Sequence, residues 1–184
     1  MSQIMSKDFL TTKSNTGWTF LLTLCQQNNP TSFVDVIKYL ASNLDKKFVA
    51  GLLEAKTSEG WTFLHFLAQN NSHTSFGVLL QLLCEYFDLN FVKSLLKSIT
   101  NQHLTFLSMM SCTNIERSPM EILRTLFDQK KIDKIFITEL FLIKSNKYGE
   151  DFINEDEGWT FLHQKAFHGQ KLQWIYILAD SSAK

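Results

Sequence analysis

A chain of 184 residues with 45% apolar and 20% charged side chains is long enough for one continuous core and has the make-up of a folded domain. Its 18 basic residues balance 18 acidic ones, which removes the electrostatic argument for a nucleic-acid or anionic-membrane partner. Its three cysteines, Cys25, Cys84 and Cys112, are odd in number, widely spaced and form no CxxC pair, which argues against a disulfide framework or zinc knuckle and for a reducing compartment.

In chain order, the start Met1-Ser2-Gln3-Ile4-Met5-Ser6-Lys7-Asp8 lacks the basic-then-apolar pattern of a secretion signal. No later apolar run approaches the roughly 20 residues that span a bilayer. The first organised element is Thr16-Gly17-Trp18-Thr19-Phe20-Leu21-Leu22, in which Thr19 is a permitted N-cap for a short apolar helix. A second helix is predicted from Ser32, with Asp35 three residues on, and a third from the capping residue Asp45. The pattern then restarts. Glu59-Gly60-Trp61-Thr62-Phe63-Leu64-His65 lies 43 residues beyond the first signature, counted from glycine to glycine. The same shift lays Ser32-Phe33 on Ser75-Phe76, Leu40 on Leu83, Asp45 on Asp88, Phe48-Val49 on Phe91-Val92 and Leu52-Leu53 on Leu95-Leu96. In this copy Leu79, Leu80, Leu82 and Leu83 fall at helical spacing, and the pairs Phe91-Val92 and Leu95-Leu96 share one face.

A looser third signature, Gln102-His103-Leu104-Thr105-Phe106-Leu107-Ser108, is followed by Ser118-Pro119 and Glu121, a full helix-start signal. Asp133, Phe136-Ile137 and Leu140-Phe141 close the third copy. About ten extra residues intervene before Glu157-Gly158-Trp159-Thr160-Phe161-Leu162-His163, and one more apolar stretch, Leu172 to Leu178, ends the chain. Each full copy thus reads as three short helices. One copy has too little apolar surface to bury against itself, so neighbours must stack.

Gly-Trp-Thr-Phe-Leu-His resembles the ankyrin opening Gly-x-Thr-Pro-Leu-His, and residues 158–169 resemble an ankyrin first helix and its turn. The resemblance implies paired antiparallel helices with a hairpin finger between repeats. Phenylalanine fills the proline slot at Phe20, Phe63, Phe106 and Phe161, and a third helix occupies the place of the finger. The expected fold is all-α, an α-solenoid of ankyrin-like helical repeats with three short helices per full repeat and shortened or missing fingers. It forms a single repeat domain over 1–184, with repeats at about 13–55, 56–98, 99–143 and 154–184 and an insert at 144–157.

Candidate chemistry is sparse. His65 and His163 share a slot filled by Leu22 and Ser108 elsewhere. The ankyrin resemblance implies that this histidine hydrogen-bonds locally and ties neighbouring turns. Cys25 shares its slot with Ala68, Ser111 and Ala166, which marks a small packing position rather than a nucleophile. Cys84 also reads as packing, and Cys112 as the more exposed, labelling-reactive thiol. His163 and His168 are five apart, off one helical face, and His73 and His103 fall in predicted loops without companions. Neither a metal set nor a glycine-rich phosphate loop is present, so no catalytic, cofactor or metal residue is expected.

Stacked repeats mostly bind macromolecules. The expected function is a protein–protein interaction scaffold or adaptor and not an enzyme. Its partner is another protein, with no nucleic acid and no membrane, and the chain is a cytoplasmic monomer. Ankyrin-like proteins include effectors that intracellular bacteria deliver into host cells, which would place the chain in a host cytoplasm. The phenylalanine-, asparagine- and lysine-rich usage suits an AT-rich genome. The expected contact surface is a row of exposed first-helix residues, Leu22 and Gln26, Phe66 and Gln69, Gln164 and Lys165. Trp18 and Trp61 share one slot with Trp159 and either anchor a partner or pack over the next repeat. The insert adds Tyr148, Glu150, Asp151 and Phe152 as a projecting acidic and aromatic loop. The alternative reading is a regulatory or catalytic subunit that acts on a protein substrate through the 144–157 loop.

Overall fold

Side chains that cap their own helices set the element boundaries. The computed structural model describes residues 6–27, 30–70, 73–111, 123, 126, 129 and 132–144. Among them the helices are α1 (Lys7–Thr11), α2 (Phe20–Gln26), α3 (Pro30–Asn43), α4 (Lys46–Leu53), α5 (Phe63–Gln69), α6 (His73–Tyr86), α7 (Leu89–Leu96), α8 (Phe106–Ser111) and α9 (Lys134–Leu142). The described part of the chain is all-helical, with one isolated antiparallel bridge, Ile99 to Thr105. No helix among the described residues is long and apolar enough to cross a membrane.

Copies one and two each contain three helices, α2–α3–α4 and α5–α6–α7. The aspartate caps stand where the spacing puts them. The Asp45, Asp88 and Asp133 side chains accept from the N–H of Phe48, Phe91 and Phe136 at 3.0, 2.9 and 2.7 Å. This satisfies one of the orphan donors at each helix start. The serines do not cap. Ser32 and Ser75 already lie inside α3 and α6, and His73, expected in a loop, opens α6. Proline suits the first turn of α3, which lets that helix begin before Ser32. Ser118 lies outside the described residues.

The first helices α2, α5 and α8 pack in that order, and α3 packs on α6 beside them. The phenylalanine that follows the signature threonine explains how the copies lock together. Phe63 stacks on Phe33 of the preceding copy with ring centroids 5.6 Å apart. Phe106 stacks on Phe76 at 5.4 Å, the same contact one copy on. All four rings are buried. Such pairs add about 0.5–1.5 kcal/mol beyond their area burial. Phe20 meets Phe9 of α1 instead, with ring centroids 5.1 Å apart. The short α1 packs on α2 and buries its Leu10.

The links between copies are tight turns rather than strand hairpins. The N–H of Ser14, Thr57 and Thr100 donates to the carbonyl of Trp18, Trp61 and Leu104 at 2.9, 3.0 and 3.0 Å. Each turn then bonds to the next. The Ser58 N–H donates to the Thr16 carbonyl and the Asn101 N–H to the Glu59 carbonyl, both at 2.9 Å. Gly17 and Gly60 hold positive φ, 78° and 81°, and the third copy holds 56° with His103. Histidine is among the residues that tolerate this region.

Candidate functional site

The first-helix row is built on its threonine caps. Thr19 Oγ1 accepts from the Leu22 N–H at 3.3 Å. Thr105 and Ser108 close a reciprocal pair, each N–H donating to the other's hydroxyl at 3.0 Å. In copy two His65 takes the serine's part. The Thr62 N–H donates to His65 Nδ1 at 3.2 Å, and the Thr62 hydroxyl lies 2.8 Å from the same nitrogen. A backbone N–H can only donate, so Nδ1 is the acceptor and Nε2 carries the proton. That Nε2–H donates to the Leu104 carbonyl in the next copy at 3.1 Å. His65 is fully buried, and burial pulls its pKa from 6.5 to about 4, with the Leu104 bond opposing and nearby Lys56 adding to the shift. This histidine is neutral, with Nδ1 committed to its own helix cap and Nε2 to the next copy.

Cys25 lies in the core with its thiol 3.8 Å from the Phe63 carbonyl. Burial pushes its pKa well up, which leaves it a thiol at neutral pH. Cys25→Ala is expected to keep the helical circular-dichroism spectrum and cost about 1 kcal/mol in denaturant unfolding, the loss of one small buried group. A cost above 3 kcal/mol would mean the slot is not the small packing position described here.

The exposed row needs correction at two positions. Leu22 and Phe66 are buried, at 2% and 4% exposure. Leu22 belongs to the core cluster, and Phe66 is covered by the tryptophan slot. Trp18 lies over Phe66 of the next copy at 4.8 Å, and Trp61 covers the same ring from its own copy at 5.1 Å. Both tryptophans are half-buried, so their rings are spent largely on packing across the copies. Trp61 Nε1 is buried without a hydrogen-bond partner among the described residues. Gln26 and Gln69 are exposed as expected, at the C-terminal ends of α2 and α5. Asn70 joins those two ends, its Nδ2 donating to the Cys25 carbonyl at 2.8 Å and the Gln26 carbonyl at 3.3 Å. Gln164, Lys165, Tyr148, Glu150, Asp151 and Phe152 lie outside the described residues, as do Cys112, His163 and His168.

Of the expected site, the structure brings together Leu22, Gln26, Phe66 and Gln69 on the adjacent helices α2 and α5 and Trp18 and Trp61 just before them, with the two amides outward and Leu22 and Phe66 inward. Sequence reasoning missed Asn70 and the lysines that lie over Phe48 and Phe136. The recurrence of an aspartate three residues before each of these phenylalanines was the available signal. Among the described residues no group of three or more His, Cys, Asp or Glu is placed to hold a metal ion. No protein-family model, curated protein or solved structure matches this chain.

Proposed function

We propose that the chain is a small α-solenoid of ankyrin-like repeats that binds another protein along the C-terminal ends of its first helices. The observation that carries this reading is the periodic ladder. The same turn-to-turn bond recurs at Thr16–Ser58 and Glu59–Asn101, and the same aromatic stack at Phe33–Phe63 and Phe76–Phe106. A ladder of this kind repeats surface side chains in register, as with Gln26 and Gln69. Exposed positions at a fixed period on a rigid row suit recognition of an extended surface.

The test is affinity capture with the whole chain from cell lysate, followed by mass spectrometry. The same capture is made with the double variant Gln26→Arg and Gln69→Arg. The expected result is a partner whose capture falls at least tenfold in the variant while the melting temperature holds. A partner retained equally by both would place the contact elsewhere.

The acidic insert, outside the described residues, is expected to tune the encounter. Replacing Glu150, Asp151, Glu155 and Asp156 with Ser should slow association at low salt and flatten its salt dependence. Stopped-flow association with the captured partner reads this directly. Unchanged rates at both salts would make the insert a linker.

A further inference from the structure

Two of the three phenylalanines that lie three residues after a capping aspartate carry an ammonium. Phe48 carries the Lys7 ammonium 5.1 Å from its ring centroid. Phe136 carries Lys93 at 4.9 Å and Lys97 at 5.3 Å. Lys93 also reaches the Asp133 carboxylate at 3.1 Å, so one ammonium bridges the ring and the capping acid. Lys97 pairs with Glu139. Phe91, the same slot in copy two, has no ammonium over its ring among the described residues.

Two substitutions between copies account for the difference. The place of Lys93 is taken in copy one by Ala50, and that of Lys97 by Glu54. Lys93 reaches from α7 to α9, whereas Ala50 ends at Cβ and sends nothing from α4 to α7. A pocket of about 630 Å³ is left there, with Ala50, Phe87, Phe91, Glu85 and Asp88 in its lining. The Phe87 and Phe91 rings lie 5.2 Å apart. Neither Glu85 nor Asp88 has an ion-pair partner among the described residues. An aromatic face beside unpaired carboxylates attracts an alkylammonium group.

We propose that this pocket receives a lysine side chain from a bound protein segment. The ammonium lies over Phe91 and against Asp88, repeating from outside what Lys93 does for Phe136 and Asp133 within the chain. Lys46 and Lys47 also line the pocket and are exposed. Their charge disfavours a uniformly basic segment and favours a lysine flanked by acidic residues. The proposal names one contact of the protein-binding reading and rests on it.

The test is a nitrogen-15 NMR titration of the whole chain, at low salt, with the capped peptide Ac-Gly-Glu-Lys-Glu-Gly-NH2. The control peptide has norleucine in place of lysine, which keeps the methylenes and removes the charge. Saturable shifts are expected at residues 46–50 and 85–91, with a Kd on the order of 1 mM, and none with the control. Asp88→Asn keeps the helix cap, because asparagine caps as well as aspartate, and should weaken binding at least tenfold. Ala50→Lys should fill the pocket with the chain's own ammonium and abolish the shifts without lowering the melting temperature. Equal binding of the norleucine peptide, full binding by Asp88→Asn, or no saturable shift at these residues would overturn the proposal. A partner captured through Gln26 and Gln69 with no peptide bound would remove the pocket and leave the binding reading intact. Peptide binding with no partner captured would do the reverse.

Discussion

Gly60→Ala is expected to lower stability by about 3 kcal/mol, and the melting temperature by roughly 10 °C for a chain of this size. Two costs combine. Gly60 sits at φ 81°, where a side chain is disfavoured by about 1–2 kcal/mol. An added Cβ would also lie 2.7 Å from Asn101 Oδ1 and 2.9 Å from the Asn101 backbone nitrogen. The amide side chain can swing away, but the backbone cannot move without giving up the Asn101 N–H bond to the Glu59 carbonyl. The Asn101 Nδ2 bond to the Ser58 carbonyl, at 2.9 Å, is lost with it. Those bonds join copy two to copy three, so the damage falls on the link between copies. Gly17→Ala meets nothing nearer than 3.0 Å, at the Lys56 carbonyl and the Ser58 nitrogen, and should cost less. His103 already holds φ 56° in the third copy and shows that the conformation alone is tolerated. Chemical denaturation of the two alanine variants separates the terms. If Gly60→Ala and Gly17→Ala cost the same small amount, only the dihedral matters and the close approach of Asn101 does not.

Interactions confined to a few residues were legible in the sequence, and contacts between copies were not. A threonine or aspartate cap bonds a backbone N–H three residues on, so Thr19, Asp45, Asp88 and Asp133 announce themselves by spacing. The serines misled because Ser32 and Ser75 resemble caps, while the helices begin before them. The burial of Leu22 and Phe66 depends on which neighbour lies above them. A first helix viewed alone exposes both, and Phe66 is covered by two rings outside its helix, Trp61 of its own copy and Trp18 of another. Phenylalanine in the proline slot reads alone as a departure from the ankyrin pattern. In the structure it is a contact surface, since Phe63 and Phe106 fill the space beside Phe33 and Phe76. That pairing was latent in the sequence, because both members of each pair recur with the same period.

Acidification should destabilise the chain through His65, and the sign follows from its neutral burial. Its pKa falls from 6.5 to about 4 on folding, chiefly because burial penalises the charged ring. Between those values the unfolded chain binds a proton that the folded chain refuses, so stability declines as pH falls. The contribution is fully present above pH 6.5 and is lost progressively as pH drops toward 4. Its full size is about 3 kcal/mol, of which about 2 kcal/mol is gone by pH 5. For this chain length that corresponds to roughly 6 °C in melting temperature. The measurement must be a difference between two proteins, so that contributions from the rest of the chain cancel. His65→Gln is the appropriate comparison, since glutamine is an ordinary capping-box residue at this position and does not titrate. Its amide oxygen is suited to accept from the Thr62 N–H and its amide nitrogen to donate to the Leu104 carbonyl. At pH 7.5 the variant should be the less stable by about 1 kcal/mol, for imperfect replacement of two buried hydrogen bonds. By pH 5 the wild type should have lost that lead and fallen below the variant. Thermal unfolding of both proteins at pH 7.5, 6 and 5 decides the matter. Curves that stay parallel through this range would mean that His65 takes up a proton as readily folded as unfolded. The bond from Nε2 to Leu104 would then not hold the ring in its neutral form.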